Sequence, residues 1–436
     1  MTPGARVQAA IELIEAIGGT DAPADGIVER FVRARRYMGS KDRRSVTGRV
    51  YGILRRYGRL SWWLAEYAVT SRALVLADLA LHPDEREADF DALFSGLGHA
   101  PEALDEEEQA LAARLSGQTF YHSDMPDWVV LEYPDWLDGP LKSAFGEAHT
   151  QEMTALNSPA PLDLRVNIVR TDVNGARKVL ADEQIKTETT QYSPIAIRVR
   201  DRINLRGSRA FREGLIEVQD EGSQIISALC GAQPGMSVVD YCAGAGGKTL
   251  ALAAMMAGEG IEVDTLWACD TQEKFLGRLS KRTARAGVEG IQQHVLAEKD
   301  DVWIAENKGF ADVVLVDAPC SGMGTWRRNP GAKWQMSAER LDESVARQAE
   351  ILENAASLVR PGGRMVYATC SLLREENEDR IETFLAAHPE FAPIPVSDIW
   401  TKCLDSPCPS TGTYLRLSPA TTGTDGFFAA VLTRLD

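Results

Sequence analysis

The sequence predicts an α/β protein whose C-terminal half is a Rossmann-like, doubly wound parallel sheet, preceded by an all-helical region and a small α/β unit. Three observations carry this. Before about residue 120, apolar residues recur at helical spacing with no alternating run between them. After Gln219, short apolar runs alternate with helical stretches, the pattern of parallel strands joined by crossover helices. A glycine-rich loop, residues 242–248, falls between the first of those strands and the helix after it.

The elements follow in order. Val7, Ala10, Ile11, Ile14 and Ile17 mark one helical stripe, and Val50, Ile53, Leu54, Leu60, Trp63 and Leu64 another. Residues 116–138, rich in aromatic and polar side chains, read as irregular. Strands are expected at 162–166, 195–199 and 203–205, with a helix near 173–180 between them. The second half offers strands at 238–241, 265–269, 292–296, 313–316 and 364–369. A helix is expected from 248 to 256, and a long one from about 338 to 359, stopped by Pro361-Gly362-Gly363. Another should run from about 375 to 387. Residues 414–417 and 427–432 predict an antiparallel hairpin closing the sheet.

With 436 residues and 44% hydrophobic content, the chain has material for two or three domains and a sizeable core. Its apolar runs fall short of the ~18 residues that a membrane span needs. Residues 1–6 have neither the basic start nor the apolar run of a signal peptide, so a cytoplasmic protein is expected. The 7 cysteines are odd in number and include no CxxC pair, which disfavours a disulfide framework and a metal site. A net charge of −16 argues against nucleic acid, but the charge is uneven. Arg30, Arg33, Arg35, Arg36, Lys41, Arg43, Arg44, Arg49, Arg55, Arg56 and Arg59 stand in one stretch against Asp42 alone. Arg198, Arg200, Arg202, Arg206, Arg209 and Arg212 form a second. Acid gathers in Asp84, Glu85, Glu87, Asp89 and Asp91, and again in residues 105–108. Basic patches of this kind suit RNA, although each arginine can equally be part of a solvated helix face.

The glycine loop, Cys242-Ala243-Gly244-Ala245-Gly246-Gly247-Lys248, admits two readings. A phosphate loop needs a glycine where Cys242 stands, and Pro319-Cys320 after the apolar strand does not suit an NTPase. An S-adenosylmethionine site needs a glycine loop after the first strand and an acid ending the second, and Asp270 supplies the acid. Glu298 or Asp300, after the third strand, would then meet the adenine.

Two further strands each end near a cysteine, in Asp317-Ala318-Pro319-Cys320-Ser321 and Ala368-Thr369-Cys370-Ser371. Both should emerge at the carboxyl edge of the sheet, beside the glycine loop. A buried cysteine is ordinarily an inert filler. Two at functional strand ends suggest cytosine chemistry. C5 of cytosine is too weak a nucleophile for a methyl sulfonium until a thiolate adds to C6. One sulfur would attack, and the other would assist the release that follows. Asp317 can hold the N3/N4 edge of the ring, and Lys248 can add positive charge at the same edge.

These segments resemble the signature motifs of the RNA (cytosine-5) methyltransferase family. Further likeness lies in Gln219–Gln224, Arg327–Pro330 with Lys333-Trp334, Glu375-Glu376-Asn377 and Thr424–Ala429. The resemblance implies that Cys370 is the nucleophile, that Cys320 promotes product release, and that 242–248, Asp270 and Asp317 line S-adenosylmethionine. The front half is similar to the bacterial 16S ribosomal RNA branch. That likeness implies an all-α NusB-like RNA-binding domain over 1–125, a linker and RRM-like α/β domain over 126–215, and a catalytic domain over 216–436. It further implies an RNA substrate, with a monomer as the default expectation. The chain departs from the family pattern in having Gly244-Ala245 where proline is usual, and Glu298 and Asp300 where an aspartate is usual. A silent ribosome-assembly factor on the same fold is the competing class, and retention of both cysteines speaks against it.

Overall fold

Two units divide the residues described by the computed structural model, which are 1–20, 22–82, 89–200, 203, 205–257, 263 and 265–436. The first comprises residues 1–158 and 326–337, and the second 159–325 and 338–436. Asp84, Glu85 and Glu87 of the acidic run, and Arg202 of the second basic stretch, lie outside the described residues.

The first unit is helical. Thr2 starts the helix Pro3–Gly18 by accepting the Ala5 N–H, with proline at a position whose own N–H would go unused. Thr70 caps Ser71–Leu81 in the same way, and Asp105 with Glu108 closes a capping box on Glu106–Leu115. Both apolar stripes read from the sequence are buried in one core. Helices continue past the stretch read as irregular, at Asp138–Phe145 and His149–Leu156. The segment 326–337 is part of this unit. Trp334 donates its indole N–H to the Leu54 carbonyl at 3.2 Å and packs on Tyr57 at 5.1 Å. Lys333, 1% exposed, donates to Asn157 Oδ1 at 2.9 Å.

The second unit holds two sheets. The smaller is formed by β1 (Leu162–Val166), β2 (Thr187–Thr189), β3 (Ala196–Val199) and β4 (Ile216–Val218), in the order β2-β3-β1-β4 with antiparallel neighbours. Its apolar face buries Leu164, Val166, Ile197 and Val199 with Ala176 and Leu180 of the helix Val173–Asp182. A strand is expected at 203–205, and neither of its described residues, Ile203 and Leu205, lies in one. Leu205 opens a 3₁₀ turn, Leu205–Gly207, and Asn204 lies outside the described residues. The fourth strand is instead β4, whose three residues are too few for alternation to stand out.

The larger sheet comprises β5 (Val238–Asp240), β6 (Leu266–Asp270), β7 (Gln292–Val295), β8 (Ala311–Asp317), β9 (Val359–Thr369), β10 (Phe391–Ile394), β11 (Leu415–Leu417) and β12 (Phe427–Arg434). The order is β10-β12-β9-β8-β5-β6-β7, with β11 paired to β12. Strands β5 to β9 are parallel, while β12 lies antiparallel to β9, β10 and β11, as the expected closing hairpin requires. The long helix Ala338–Leu358 ends before Pro361, but those turn residues do not delay the strand. β9 starts at Val359 and runs through them, with a register shift opposite Ala311 and Val313. β5 sits between β6 and β8, the point where the strand order reverses and ligands bind at carboxyl ends. No described helix is long and apolar enough to cross a membrane.

Candidate active site at the carboxyl edge of the large sheet

The loop after β5 is shaped by its glycines. Gly246 has φ +80°, and a Cβ there would collide with Leu279. Gly244 has φ +54°, and a Cβ there would meet nothing within 4 Å, so open space faces it. Gly247 then begins the helix Gly247–Met256. Asp270, the last residue of β6, accepts the Gly244 N–H at 2.9 Å and the Gln272 N–H at 2.8 Å. A carboxylate oxygen has a second lone pair, so Asp270 keeps capacity for a diol. Asp240, which the sequence reading did not single out, ends β5. Its Oδ2 accepts Thr249 Oγ1 at 2.6 Å, and its Oδ1 is buried without a partner. Burial pushes its carboxyl up to about 7, against the hydrogen bond from Thr249. A strand-end carboxylate for hydroxyls and an orphaned buried carboxylate oxygen make a donor set that fits S-adenosylmethionine.

Cys242 is half-buried, and burial holds its thiol well above the ordinary range. Ala243 is buried, and Gly244, Ala245 and Gly247 are half-buried around it. Glu298 and Asp300 stand exposed in the loop after β7, Asp300 with φ +50°. Their neighbour Asp301 is committed to structure. It accepts the Ala297 N–H at 2.7 Å, caps the helix Val302–Glu306 and pairs with His294 at 3.0 Å.

The next two strands bring the remaining residues together. Lys248 Nζ donates to Asp317 Oδ2 at 2.7 Å. Burial opposes the charge on Lys248, but the Asp317 carboxylate outweighs it and holds the ammonium above its usual value. Cys320 follows β8 and Cys370 follows β9, and their sulfurs stand 3.4 Å apart. Cys320 is held well above the ordinary thiol range, first by its hydrogen bond to Cys370, then by burial and by the charges of Cys370 and Glu376. The sequence pattern therefore brought Lys248, Asp317, Cys320 and Cys370 to one edge. It assigned no role to Ser321, Ser371, Gln348, Glu376 or Asn377, which surround the two cysteines, although Glu376-Asn377 stood out as a motif.

A switch-point glycine loop, an acid ending the next strand and reactive groups after the following strands define a Rossmann-like methyltransferase. The chain belongs to the family described as 16S rRNA methyltransferase RsmB/F, whose model matches residues 228–433. A second model, the ferredoxin-like domain of RsmF/B-like methyltransferases, matches residues 133–206. The chain is 31% identical over 304 residues to a probable ribosomal RNA small subunit methyltransferase B of Synechocystis, covering 69% of this chain and 66% of that protein. It is 33% identical over 260 residues to the ribosomal RNA small subunit methyltransferase B of Salmonella paratyphi A, covering 60% of this chain and 59% of that one. The match thus spans about two thirds or less of these relatives' length. Among solved structures, that of PH0851 superposes with a TM-score of 0.79 at 28% identity, covering 99% of both chains.

Proposed function

We propose that this protein transfers a methyl group from S-adenosylmethionine to C5 of a cytosine in RNA, with 16S rRNA as the substrate. The observation that carries the reading is the pair of sulfurs, Cys320 and Cys370, 3.4 Å apart beside the Lys248–Asp317 ion pair. In this reading residues 242–248 hold the methionine end, Asp270 the ribose and Glu298 or Asp300 the adenine. S-adenosylmethionine supplies an electrophilic methyl group, and this chain's residues do the rest.

Cys370, as thiolate, adds to C6 of the base and makes C5 nucleophilic. Asp317 accepts a hydrogen bond from the N4 amino group, and the Lys248 ammonium beside it supplies positive charge at the edge where negative charge develops on N3 during the addition. After C5 has taken the methyl group, the C5 proton must leave and the C6–sulfur bond must break. Cys320 is suited to that second half. While Cys370 is free, the hydrogen bond between the sulfurs keeps Cys320 a thiol. Once Cys370 is bonded to carbon, that constraint is gone, and Cys320 is freer to give up its proton and act as a base. The target base must leave its stack to reach a sheet edge, so a single-stranded loop is the expected site.

Cys370→Ala should abolish methyl transfer, and turnover in that variant would refute the assignment. Cys320→Ala should trap RNA covalently, seen as a slow band on a denaturing gel. Bisulfite sequencing of RNA from cells with and without the gene reads the substrate. One small-subunit rRNA cytosine losing protection supports the proposal, and loss at a tRNA site instead would overturn its choice of RNA.

A further inference from the structure

The residues on either side of each cysteine are tied to a different member of one adjacent pair, to Glu376 directly and through Gln348 at Cys320, and to Asn377 directly at Cys370. Glu376 is fully buried and closes the 3₁₀ turn Arg374–Glu376. Its Oε1 accepts the Ser321 N–H at 2.8 Å, and its Oε2 accepts the Ser321 hydroxyl at 2.5 Å. Gln348, also fully buried, donates from one amide nitrogen to Glu376 Oε1 at 3.0 Å and to the Pro319 carbonyl at 3.0 Å. Of the residues on either side of Cys320, Ser321 is thereby fixed to the carboxylate directly and Pro319 through Gln348. Asn377, 1% exposed, does the same for Cys370. Its Oδ1 accepts the Thr369 hydroxyl at 2.6 Å, and its Nδ2 donates to the Ser371 carbonyl at 3.0 Å. The clamps meet where the Ser321 and Ser371 hydroxyls lie 3.2 Å apart. A buried carboxylate costs several kcal/mol to desolvate unless its oxygens are satisfied by donors, as they are here. An apolar filler would serve stability alone equally well.

We propose that Glu376 and Asn377 are positioning residues with separate duties, Glu376 setting the Cys320 sulfur for release and Asn377 setting the Cys370 sulfur for attack. This rests on the two-cysteine reading above. The two chemical steps then depend on different side chains although the side chains are neighbours. Substituting Glu376 displaces Cys320 while the Cys370 clamp stays closed, and the reverse holds for Asn377.

The test separates the steps. Glu376→Gln keeps the side chain's size but turns one acceptor into a donor facing the Ser321 donors or Gln348. Formation of the covalent RNA adduct in a single turnover should stay within ~3-fold of the unsubstituted protein, since a misplacement of about 1 Å costs ~100-fold only at the step that uses the misplaced group. Adduct present at steady state should rise on the order of 10-fold, because displacement of the Cys320 sulfur slows release by more than the loss of the Glu376 charge eases its ionisation. Asn377→Ala should do the opposite, slowing adduct formation on the order of 10-fold with no rise in the adduct fraction. Equal slowing of both steps by Glu376→Gln, or no change in either, would overturn the proposal. If Glu376→Gln does not fold, Gln348→Leu, which cuts the same clamp at Pro319, decides by the same split. Cys320→Ala is the control for the chemistry. Absence of any adduct there refutes the two-cysteine reading itself, whereas an adduct there with no split in Glu376→Gln refutes only the positioning roles.

Discussion

Cys320 and Cys370 have chemically unequal surroundings although their sulfurs touch. A thiol whose proton is shared with a neighbouring sulfur, in a buried site beside the Glu376 carboxylate, resists ionisation, and Cys320 is in that position. In the reaction proposed above, the inequality divides the labour within a pair that the sequence presents as near twins, each cysteine followed by serine. Because the first cause of the shift is the bond to Cys370, removing that sulfur should lower the Cys320 pKa. Alkylation of Cys320 by iodoacetamide, followed against pH, should therefore reach its half-maximal rate at lower pH in Cys370→Ala than in the unsubstituted protein. An unmoved curve would mean that burial alone sets the thiol. The positions of both cysteines were legible in the sequence, because a strand followed by a short polar turn fixes which edge of the sheet a residue reaches. The clamp was not legible. Glu376 lies 55 residues from Ser321 and 28 from Gln348, and only the folded chain brings their polar atoms together in a buried site.

At the scale of elements, what the sequence conveyed was periodicity, and it failed where periodicity had too few residues to act on. β5, β6, β8 and β9 carry apolar runs bounded by turn residues, whereas β7 reads Gln-Gln-His-Val, and each was found within a few positions. β2 and β4 have three residues each and gave no usable pattern, whereas Ile203 and Leu205 suggested a strand and Leu205 opens a 3₁₀ turn. Asp270 was placed one residue after its strand and is the strand's last residue. The segment 326–337 is a different failure, since no local signal says that a stretch following the Pro319-Cys320 turn folds into the helical unit. Its Lys333 shows the cost. Burial pushes the Glu132 carboxyl up although Arg59 at 2.6 Å and the Gly58 N–H at 2.8 Å oppose it, and it pushes Lys333 down, to about 7, against the attraction of Glu132. An amine with a depressed folded pKa binds fewer protons than the unfolded chain between pH 10.5 and about 7, so stability falls as pH falls through that window. Lys333→Met removes the effect. Denaturant melts should show the variant's advantage over the unsubstituted protein greatest below pH 7, on the order of a few kcal/mol, and shrinking towards pH 10. A difference independent of pH would show that Lys333 keeps its proton in the folded state.

At the scale of the whole molecule, a net charge of −16 has to be reconciled with the polyanionic substrate proposed above. The structure sorts the basic residues by what they already hold. Arg49 and Arg56 pair with Asp78, Arg59 with Glu132, and Arg35 with Glu12, so this part of the first basic stretch has internal partners. In the second stretch Arg198 is bound to Asp163 and Arg200 to Glu188. The small sheet's charged face is likewise occupied, with Glu217 held by Arg282 and Arg285. The first unit also presents outward Arg30, Arg36, Lys41 and Arg44, all exposed, and in the same stretch of chain Tyr37, at 71% exposure. Cations with an exposed aromatic ring suit a flexible RNA strand, since the cations displace counterions from phosphates while the ring stacks on a base. Each phosphate contact contributes about 0.7 to 0.9 to the slope of log affinity against log salt, whatever the protein's total charge. Reversing Arg36, Lys41 and Arg44 to glutamate should therefore weaken RNA binding at low salt and flatten that slope by about 2 to 3. Single-turnover methylation at saturating RNA should stay within about 3-fold of the unsubstituted protein, as expected of residues that contact phosphate alone. An unchanged slope would move the RNA footprint off this surface. A loss of methylation that saturating RNA does not restore would mean that the patch takes part in presenting the base.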